Sequence, residues 1–344
     1  MKLVIPYFID YTRSEKMEKL YKIIFTDYYF PNISKEVNQL KKLGKVEIID
    51  CNDLIRGEVA SEDQLLDHLQ KCKAMDADAV LVNHAMITSK FISQLTNCQV
   101  ILRYGIGVDN IDVKAAQERG IKVTNIPDYC IEEVAENAIT LMLATVRKIF
   151  LQNKLLRNNQ FNYEQIKPIR RFSELTVGLL AFGNIARTVA QRLKSFKVKI
   201  ITYDPYFHQK NLFDWVEFVA LDELYQRSDI LSIHAPLTNE TYHLINQETI
   251  KKMKPGVVFI NTSRGGLVDE NALYKGLKSG KIAGAGLDVL GYKDENDYSK
   301  SKLMELANVF ITPHTSWYSE EAIYDLQLKA GRIVYQELLN QKIE

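Results

Sequence analysis

The stretch that decides the fold of this 344-residue chain is Thr176-Val177-Gly178-Leu179-Leu180-Ala181-Phe182-Gly183-Asn184-Ile185-Ala186. An apolar strand here runs into a glycine turn, and an amphipathic helix follows over residues 184–196. A dinucleotide-binding fingerprint has glycine at three positions of such a turn, because the chain turns sharply, approaches pyrophosphate closely and packs helix on strand. Here those positions are Ala181, Gly183 and Ala186, so a plain strand–helix turn remains an alternative.

An acidic residue in register with this turn strengthens the dinucleotide interpretation. Asp204 lies 21 residues after Gly183, at the end of the next predicted strand. A carboxylate there accepts hydrogen bonds from the ribose hydroxyls of NAD and repels the additional phosphate of NADP. No Arg or Lys stands among the five residues after Asp204, so the sequence predicts a preference for NAD. The alternative is that Asp204 only begins a turn before Pro205.

Short β-rich segments alternate with amphipathic helices on both sides of this stretch. Several of the strands are apolar throughout, which is typical of parallel strands buried on both faces, and repeated strand–helix units predict an α/β fold with doubly wound parallel sheets. The predicted strands are residues 46–50, 79–82, 100–103, 122–125, 176–181, 199–204, 216–219, 229–234, 257–261, 283–289 and 309–312. Helices are predicted at 61–73, 88–96, 112–119 and 131–153, and a polar loop at 293–302.

Composition and charge are those of an ordinary globular protein. There are 44 basic and 43 acidic side chains, which gives a net charge of +1, so no global charge favours nucleic acid or an anionic membrane as a partner. Apolar residues make up 46% and charged residues 25% of the chain, which excludes disorder, collagen and coiled coil as overall classes.

Cysteine usage and the N-terminus predict a cytoplasmic protein without a metal site. The four cysteines, Cys51, Cys72, Cys98 and Cys130, contain no C-x-x-C pair, so we expect reduced thiols and no zinc centre. The first ten residues are apolar too briefly for a signal peptide. No apolar run approaches the roughly 18–20 residues of a membrane span.

Polar motifs follow several predicted strands, where open α/β sheets bind ligands. They are residues 232–238, 261–269, 286–289 and 311–317, which contain His234, Arg264, Asp288 and His314. One fixed cation and one titratable imidazole are a minimal set for redox chemistry at a carbinol beside a carboxylate. Taken singly, each motif also has a structural explanation: Arg264 as a surface arginine in a loop, and His314 as a turn residue after proline.

Four motifs give the sequence a family resemblance. From about residue 79 to 341 the chain resembles the NAD-dependent D-isomer-specific 2-hydroxyacid dehydrogenases. Residues 103–112 (RYGIGVDNID) are similar to the family's substrate loop, and residues 126–136 to the start of its interdomain helix. Residues 261–269 are close to the N-T-A-R-G-G-L-V-D-E signature, and 312–314 to the terminal histidine motif. The tail at 317–322 is similar to C-terminal binding proteins and their bacterial relatives.

The resemblance implies a role for each matching residue. Arg264 would hold the substrate carboxylate and carbonyl through its planar guanidinium, and His314 would be the general acid/base. The substrate set would be Arg103, the backbone around Tyr104, Gly105 and Ile106, and Trp317. The NAD set would be Ala181, Gly183, Asn184, Ile185, Asp204, His234, Ala235, Pro236, Thr241, Thr262, Ser263 and Asp288.

Two positions keep alternatives open. The family usually has a glutamate five residues after the motif Asp, where it bonds to the histidine, but here that position is Lys293. Asp294 or Glu295 could replace it if the loop carries an insertion, and we expect Glu295, with its longer reach, to be the third catalytic residue. Trp317 would form a wall for a bulky apolar or thioether substrate side chain, or would simply pack at the domain interface.

The resemblance implies two domains and one activity. Residues 1–105 and 315–344 would form a flavodoxin-like substrate domain, and residues 106–314 an inserted Rossmann-type NAD domain. The expected protein is a homodimeric NAD-dependent oxidoreductase that interconverts a small 2-oxo acid and its D-2-hydroxy acid. One alternative is an NAD(H)-sensing dimeric binding protein with little turnover. Another is a nucleoside- or adenosylmethionine-type Rossmann protein, which would not need Arg264 and His314.

Overall fold

The computed structural model describes residues 19–54, 58–160, 162–291 and 299–340. The chain divides into two compact units, Met1–Pro127 with Ile323–Glu344, and Asp128–Ala322. Within the described ranges, no helix is both long enough and apolar enough to cross a membrane.

The first unit is built on a five-stranded parallel sheet in the order β2-β1-β3-β4-β5. Its strands are β1 (Leu20–Phe25), β2 (Lys45–Asp50), β3 (Ala79–Val82), β4 (Val100–Arg103) and β5 (Lys122–Thr124). Its first four helices are α1 (Ser34–Leu40), α2 (Glu62–Lys71), α3 (Ser89–Gln94) and α4 (Val113–Glu118). Side chains that face inward from β3 and β4, such as Val80 and Ile101, are fully buried against α2 and α3.

The second unit is built on a seven-stranded parallel sheet in the order β12-β11-β10-β9-β6-β7-β8. Its strands are β6 (Thr176–Leu180), β7 (Lys199–Tyr203), β8 (Glu217–Phe218), β9 (Ile230–Ile233), β10 (Val257–Asn261), β11 (Ile282–Leu287) and β12 (Val309–Ile311). Its helices are α5 (Ile131–Val146), α6 (Ile149–Arg157), α7 (Asn184–Leu193), α8 (Leu221–Arg227), α9 (Gln247–Lys252) and α10 (Glu270–Lys278). Helix α11 (Glu320–Asn340) lies mostly in the first unit, which resumes at Ile323.

Helices cover both faces of the second sheet. One face is packed by α5 and α7, and the other by α8, α9 and α10. The strand order reverses between β6 and β9, which is the place where doubly wound sheets bind ligands at the carboxyl ends of their strands. The predicted fold class, two doubly wound parallel α/β sheets, is confirmed.

Local signals in the sequence placed most elements correctly. Ser61 caps α2 through a capping box with Gln64, and Thr88 and Asp112 cap α3 and α4. The single helix predicted at 131–153 is wrong, because Lys148 takes a left-handed conformation (φ 51°) and separates α5 from α6. The sequence patterns did not predict one strand, β1, or five helices: α1, α8, α9, α10 and α11.

The predicted unit boundaries also need correction. Residues 106–127, expected in the NAD domain, belong to the first unit because β5 pairs with β4 and extends the first sheet. Residues 315–322, expected in the substrate domain, belong to the second unit, where the N–H groups of Thr315 and Ser316 bind Asp288. The functional assignment of the two units stays a prediction.

Candidate active site

The turn after β6 brings backbone N–H groups to the start of α7. Ala181 has φ of 71°, in the left-handed region where glycine is usual. A Cβ added to Gly183 would meet no atom within 4 Å, so the backbone here faces open space. Gly183 precedes α7 and no side chain caps the helix, so the N–H groups of its first turn are available to an anion such as pyrophosphate.

Asp204 joins this turn to the end of β7. Its Oδ2 accepts a hydrogen bond from the Phe182 N–H at 2.8 Å, and its Oδ1 accepts one from the Tyr206 N–H at 2.8 Å. A carboxylate has about four acceptor sites, so each oxygen can also accept from a ribose hydroxyl. Asp204 therefore stabilises the glycine turn and can still accept hydrogen bonds from ribose hydroxyls, which is the role that the sequence predicts for it.

Two buried polar atoms after β9 and β10 make no hydrogen bond within the described residues: Nδ1 of His234 and Oγ1 of Thr262. Nε2 of His234 lies 3.0 Å from Oγ of Ser232, and burial lowers the pKa of His234 to about 4, so the imidazole is neutral at pH 7. Since buried polar atoms are normally paired, these two atoms fit a ligand that supplies hydrogen-bonding groups, as a dinucleotide does.

Other predicted cofactor residues use their polar groups within the protein. The Thr241 hydroxyl donates to the Pro236 carbonyl at 2.7 Å and accepts from the Thr238 N–H at 2.8 Å. The Ser263 hydroxyl donates to the Ile233 carbonyl at 2.8 Å. These residues hold the loops in shape, and Ala235, which is buried, adds apolar packing beside them. The remaining two, Asn184 and Ile185, begin α7.

Arg264 lies in the loop that follows β10. Its Nη1 donates to the Ser263 carbonyl at 2.8 Å, and its own carbonyl accepts from Nδ2 of Asn261 at 2.9 Å. The next residue, Gly265, packs directly on the chain that follows β11, since an added Cβ would lie 1.8 Å from the Leu290 carbonyl oxygen. Only glycine fits there, and this close packing fixes the loop that carries Arg264.

His314 lies in the loop that follows β12 and is held by Asp288. The fully buried Asp288 carboxylate accepts from the Thr312 hydroxyl, from the Thr315 N–H at 3.0 Å and from the Ser316 N–H at 2.9 Å. The His314 N–H donates to the Asp288 carbonyl at 2.9 Å. His314 itself has φ of 53°, a conformation that costs roughly 1–3 kcal/mol and persists only where the surroundings impose it.

In the first unit, the predicted substrate loop follows β4. The Tyr104 N–H donates to the Val82 carbonyl at 2.8 Å and is thus used in the sheet, so the predicted binding of the substrate carboxylate falls to the next two N–H groups and stays a prediction. The N–H groups of Gly105 and Ile106 make no hydrogen bond inside the described part of the chain. Gly105 has φ of 131°, a backbone conformation that other residues rarely adopt, and Nη1 of Arg103 lies 1.7 Å from the position that a Cβ would take.

A buried aspartate that the sequence patterns did not reveal holds the neighbouring loop, after β3. Asp27 is 4% exposed and accepts hydrogen bonds from the N–H groups of Asn83 (3.1 Å), His84 (2.6 Å) and Ala85 (3.3 Å). The Asn83 carbonyl in turn accepts from Nε of Arg103 at 3.3 Å. Asp27 thus supports the backbone to which the Arg103 side chain is bound.

Comparison with known proteins identifies the family of this chain. Residues 139–316 match the family model of the D-isomer specific 2-hydroxyacid dehydrogenase NAD binding domain. The chain is 41% identical over 282 residues to hydroxypyruvate reductase of Thermotoga maritima, covering 82% of this chain and 91% of the relative. The chain belongs to the D-isomer specific 2-hydroxyacid dehydrogenases.

Of two further similar proteins, one is much longer than this chain and the other has a similar length. The D-3-phosphoglycerate dehydrogenase of Methanocaldococcus jannaschii is 37% identical over 92% of this chain, but this chain spans only 56% of that longer protein. The structure of D-lactate dehydrogenase from Aquifex aeolicus, complexed with NAD and lactic acid, superposes with a TM-score of 0.76 at 27% identity, covering 94% of this chain and 96% of that one.

Membership of the D-2-hydroxyacid dehydrogenases confirms the predicted activity class. The protein is an NAD-dependent oxidoreductase that interconverts 2-oxo and 2-hydroxy acids. The predicted place in the branch of C-terminal binding proteins receives no support from these relatives, which are named as reductases and dehydrogenases, and stays a prediction.

Glu295, predicted as the third catalytic residue, lies outside the described residues. Its neighbours Lys293 and Asp294 do so as well. The sequence patterns also missed Glu270 on α10, which binds both flanks of that segment. Its Oε1 accepts from the Gly291 N–H at 2.8 Å, and its Oε2 accepts from the Ser301 hydroxyl at 3.0 Å. Trp317 is half-buried next to Tyr318, with ring centroids 5.7 Å apart, and its contact with substrate stays a prediction.

Proposed function

We propose that Arg264 and His314 are the catalytic pair with which this dehydrogenase reduces a small 2-oxo acid to its D-2-hydroxy acid. One observation carries this proposal: the chain after β11 holds both loops. Gly265, next to Arg264, packs on the backbone of Leu290, and the backbone and carboxylate of Asp288 bind the loop of His314. The guanidinium of Arg264 and the imidazole of His314 thus come from two loops that pack on the same segment, Asp288 to Leu290.

The two side chains have different tasks. The Arg264 guanidinium binds the substrate carboxylate and the 2-oxo oxygen, and its positive charge stabilises the negative charge that develops on that oxygen. The bound cofactor supplies the hydride in reduction and accepts it in oxidation. His314 in its protonated form donates a proton to the oxygen, and in the reverse direction the neutral imidazole removes the proton from the hydroxyl.

Binding is divided between backbone and side chains. We assign the N–H groups at the start of α7 to the pyrophosphate of NAD, Asp204 to the adenosine ribose, and the unpaired atoms of His234 and Thr262 to further polar groups of the cofactor. In the first unit, the N–H groups of Gly105 and Ile106 are assigned to the substrate carboxylate.

The assignment of Asp204 is tested by cofactor choice. We expect kcat/KM with NADH to exceed that with NADPH by at least about tenfold, because the carboxylate repels the additional phosphate. Asp204→Ala is expected to reduce this ratio towards one. Equal activity of the unmodified protein with both cofactors would remove Asp204 from the ribose.

The catalytic assignment is tested by a panel of 2-oxo acids, with oxidation of NADH followed by absorbance. We expect turnover of at least one acid, and a loss of about 100-fold or more in kcat/KM for Arg264→Lys, because lysine keeps the charge and loses the planar fork. Arg227→Lys on α8, where the arginine pairs with Glu217 and Glu223 at the surface, is the matched control. Retained activity in Arg264→Lys would exclude Arg264 as a substrate ligand, and NADH binding without turnover of any acid would favour the NAD-sensing alternative.

We further propose that the protein is a cytoplasmic homodimer. Helix α6 has no buried residue and exposes Ile149, Phe150 and Leu156 by 49%, 51% and 60%, an apolar surface that a second copy would cover. Within the described residues, Cys51, Cys72, Cys98 and Cys130 form no disulfide bond, which fits a reducing compartment. Sedimentation analysis of the wild type and of Leu156→Glu tests the dimer: a monomer for the variant alone would support this surface, and a wild-type monomer would contradict it.

A further inference from the structure

Glu36 is a buried carboxyl group to which the proposed reaction gives no task. It lies on α1 with none of its surface exposed. Its Oε1 accepts a hydrogen bond from the Tyr104 hydroxyl at 3.0 Å, and its Oε2 accepts one from Nε2 of Gln327 on α11 at 3.1 Å. Burial of a carboxyl group costs free energy, so this position calls for an explanation beyond packing.

The surroundings hold Glu36 in one place. Nε2 of Gln327 also donates to the Asn32 carbonyl at 2.7 Å, and its Oε1 accepts from Nζ of Lys35 at 2.9 Å, so the amide presents its N–H groups to Glu36. An added Cβ at Gly331 would lie 2.7 Å from the Cα of Glu36, so α11 packs closely on the backbone of α1. The hydrogen bonds of Gln327 therefore fix the orientation of its amide towards Glu36, and the close approach of α11 fixes the backbone of Glu36.

Tyr104 connects this carboxyl group to the substrate loop. Its ring is 2% exposed and packs edge-on against Phe30 with centroids 5.3 Å apart, while its N–H is bound to β3. The next two residues are Gly105 and Ile106, whose N–H groups are assigned to the substrate carboxylate. Backbone, ring and hydroxyl of Tyr104 are thus all held, and the hydroxyl is held by Glu36.

We propose that Glu36 is a positioning residue for substrate binding: it holds Tyr104, and Tyr104 holds the N–H groups of Gly105 and Ile106 in place for the substrate carboxylate. The inference rests on the proposed function of that loop. Hydrogen bonds to a charged acceptor are roughly twice as strong as neutral ones, so ionised Glu36 holds Tyr104 more firmly than protonated Glu36 does. The KM of the 2-oxo acid therefore falls as Glu36 loses its proton.

The surroundings of Glu36 place its pKa near neutral pH. Desolvation outweighs the hydrogen bonds and raises the pKa of Glu36 to about 7, although Lys35 on the same helix favours the charged form. The segment after β1 contributes Asp27 and Tyr28, and α11 contributes an uncharged amide. The pKa values of Tyr28 and Tyr104 are raised by burial and by neighbouring acids, so both tyrosines stay neutral near pH 7.

The test compares Glu36→Gln, which keeps the shape and loses the charge, with the wild type. KM is measured at about pH 6 and about pH 8 for the 2-oxo acid with the highest kcat/KM in the panel, at saturating NADH. We expect the ratio of the variant KM to the wild-type KM to be close to one at the lower pH and to reach about fivefold at the higher pH. We expect kcat and the Kd of NADH to change less than about twofold.

Tyrosine variants separate positioning from stability. Tyr104→Phe is expected to raise KM about fivefold at about pH 8, and adding Glu36→Gln to it should raise KM no further, because the two residues act through one hydrogen bond. Tyr21→Phe is the matched control: Tyr21 is 1% exposed and lies near the start of β1, at the end of the sheet opposite the loop. It should leave KM unchanged.

Several outcomes would overturn the inference. A KM ratio that does not depend on pH removes Glu36 from substrate positioning, and additive effects of Glu36→Gln and Tyr104→Phe remove the link between them. If Glu36→Gln does not fold, equal KM values for Tyr104→Phe and Tyr21→Phe decide against it. A wild-type protein that reduces no 2-oxo acid contradicts the proposed function itself, which is a separate and earlier result.

Discussion

The two sheets hold their carboxyl-end loops with the same device but over different distances in the sequence. In the second unit, Asp288 binds loop residues that follow it by 24 to 28 positions. In the first unit, Asp27 binds loop residues 56 to 58 positions away, and Glu36 binds Tyr104 at a separation of 68. In the second unit the supporting acid and the loop follow neighbouring strands, whereas in the first unit they are separated by at least two helix–strand units.

We expect substitutions in the two units to change different kinetic constants. The loops of the second unit carry the groups assigned to chemistry, so their variants should mainly lower kcat. The loops of the first unit carry N–H groups assigned to the substrate carboxylate, so their variants should mainly raise KM.

The largest effect is expected at the catalytic imidazole. His314→Gln should lower kcat for 2-oxo acid reduction by at least about 100-fold, because a general acid contributes on the order of 10²–10⁴. The Kd of NADH, measured by fluorescence titration, should stay within about twofold. His68→Gln on α2 is the control. A parallel loss of NADH affinity would assign His314 a structural task in place of proton transfer.

The next effect concerns the stability of the first unit. The folded-state pKa of Glu36 is raised to about 7 from an ordinary value of 4.5, so its contribution to stability is complete below pH 4.5 and is lost as the pH rises through 7. The shift corresponds to about 3 kcal/mol. Urea unfolding at several pH values should therefore show Glu36→Gln gaining about that much relative to the wild type between the two ends of this range. Parallel pH curves would contradict the buried titration.

A matched pair of substitutions compares the two supports directly. Asp288→Asn and Asp27→Asn each replace an acceptor oxygen by an amide group that faces backbone donors, so each should loosen its loop. We expect Asp288→Asn to lower kcat about tenfold, and Asp27→Asn to raise KM about tenfold through the loop that holds Arg103. Steady-state kinetics at one pH measure kcat and KM for both variants. If both variants change the same constant, the assignment of chemistry to the second unit and of substrate binding to the first is wrong.

The smallest effect is expected outside the described residues. An ionised carboxylate beside a general acid favours its protonated form, so Glu295→Gln should move the pH optimum of 2-oxo acid reduction down by about one unit. Asp294→Asn is the matched variant and should move it less. If neither substitution moves the profile, no carboxylate of this segment assists His314.

Sequence reasoning placed residues correctly where neighbouring strands of one sheet bring them together, while the binding tasks of those residues stay predictions. Asp204 and the glycine turn are such a case, because the turn after one strand and the end of the next meet in every doubly wound sheet. It failed where the partners are distant: nothing around Tyr104 shows that its hydroxyl reaches Glu36, or that its N–H is used by β3. It also failed at Lys148, since a left-handed lysine in an apolar helical pattern has no local signal such as glycine.

Glu270 has a consequence for how substrate range can change during evolution. One carboxylate on α10 binds both Gly291 and Ser301, so α10 holds these two positions together. The entropy of closing a loop between fixed ends grows slowly, by about 0.6 kcal/mol for each doubling of its length. We expect insertions and deletions within residues 292–298 to leave folding intact while they change which acids are accepted, so this segment is a natural target for loop grafting and directed evolution.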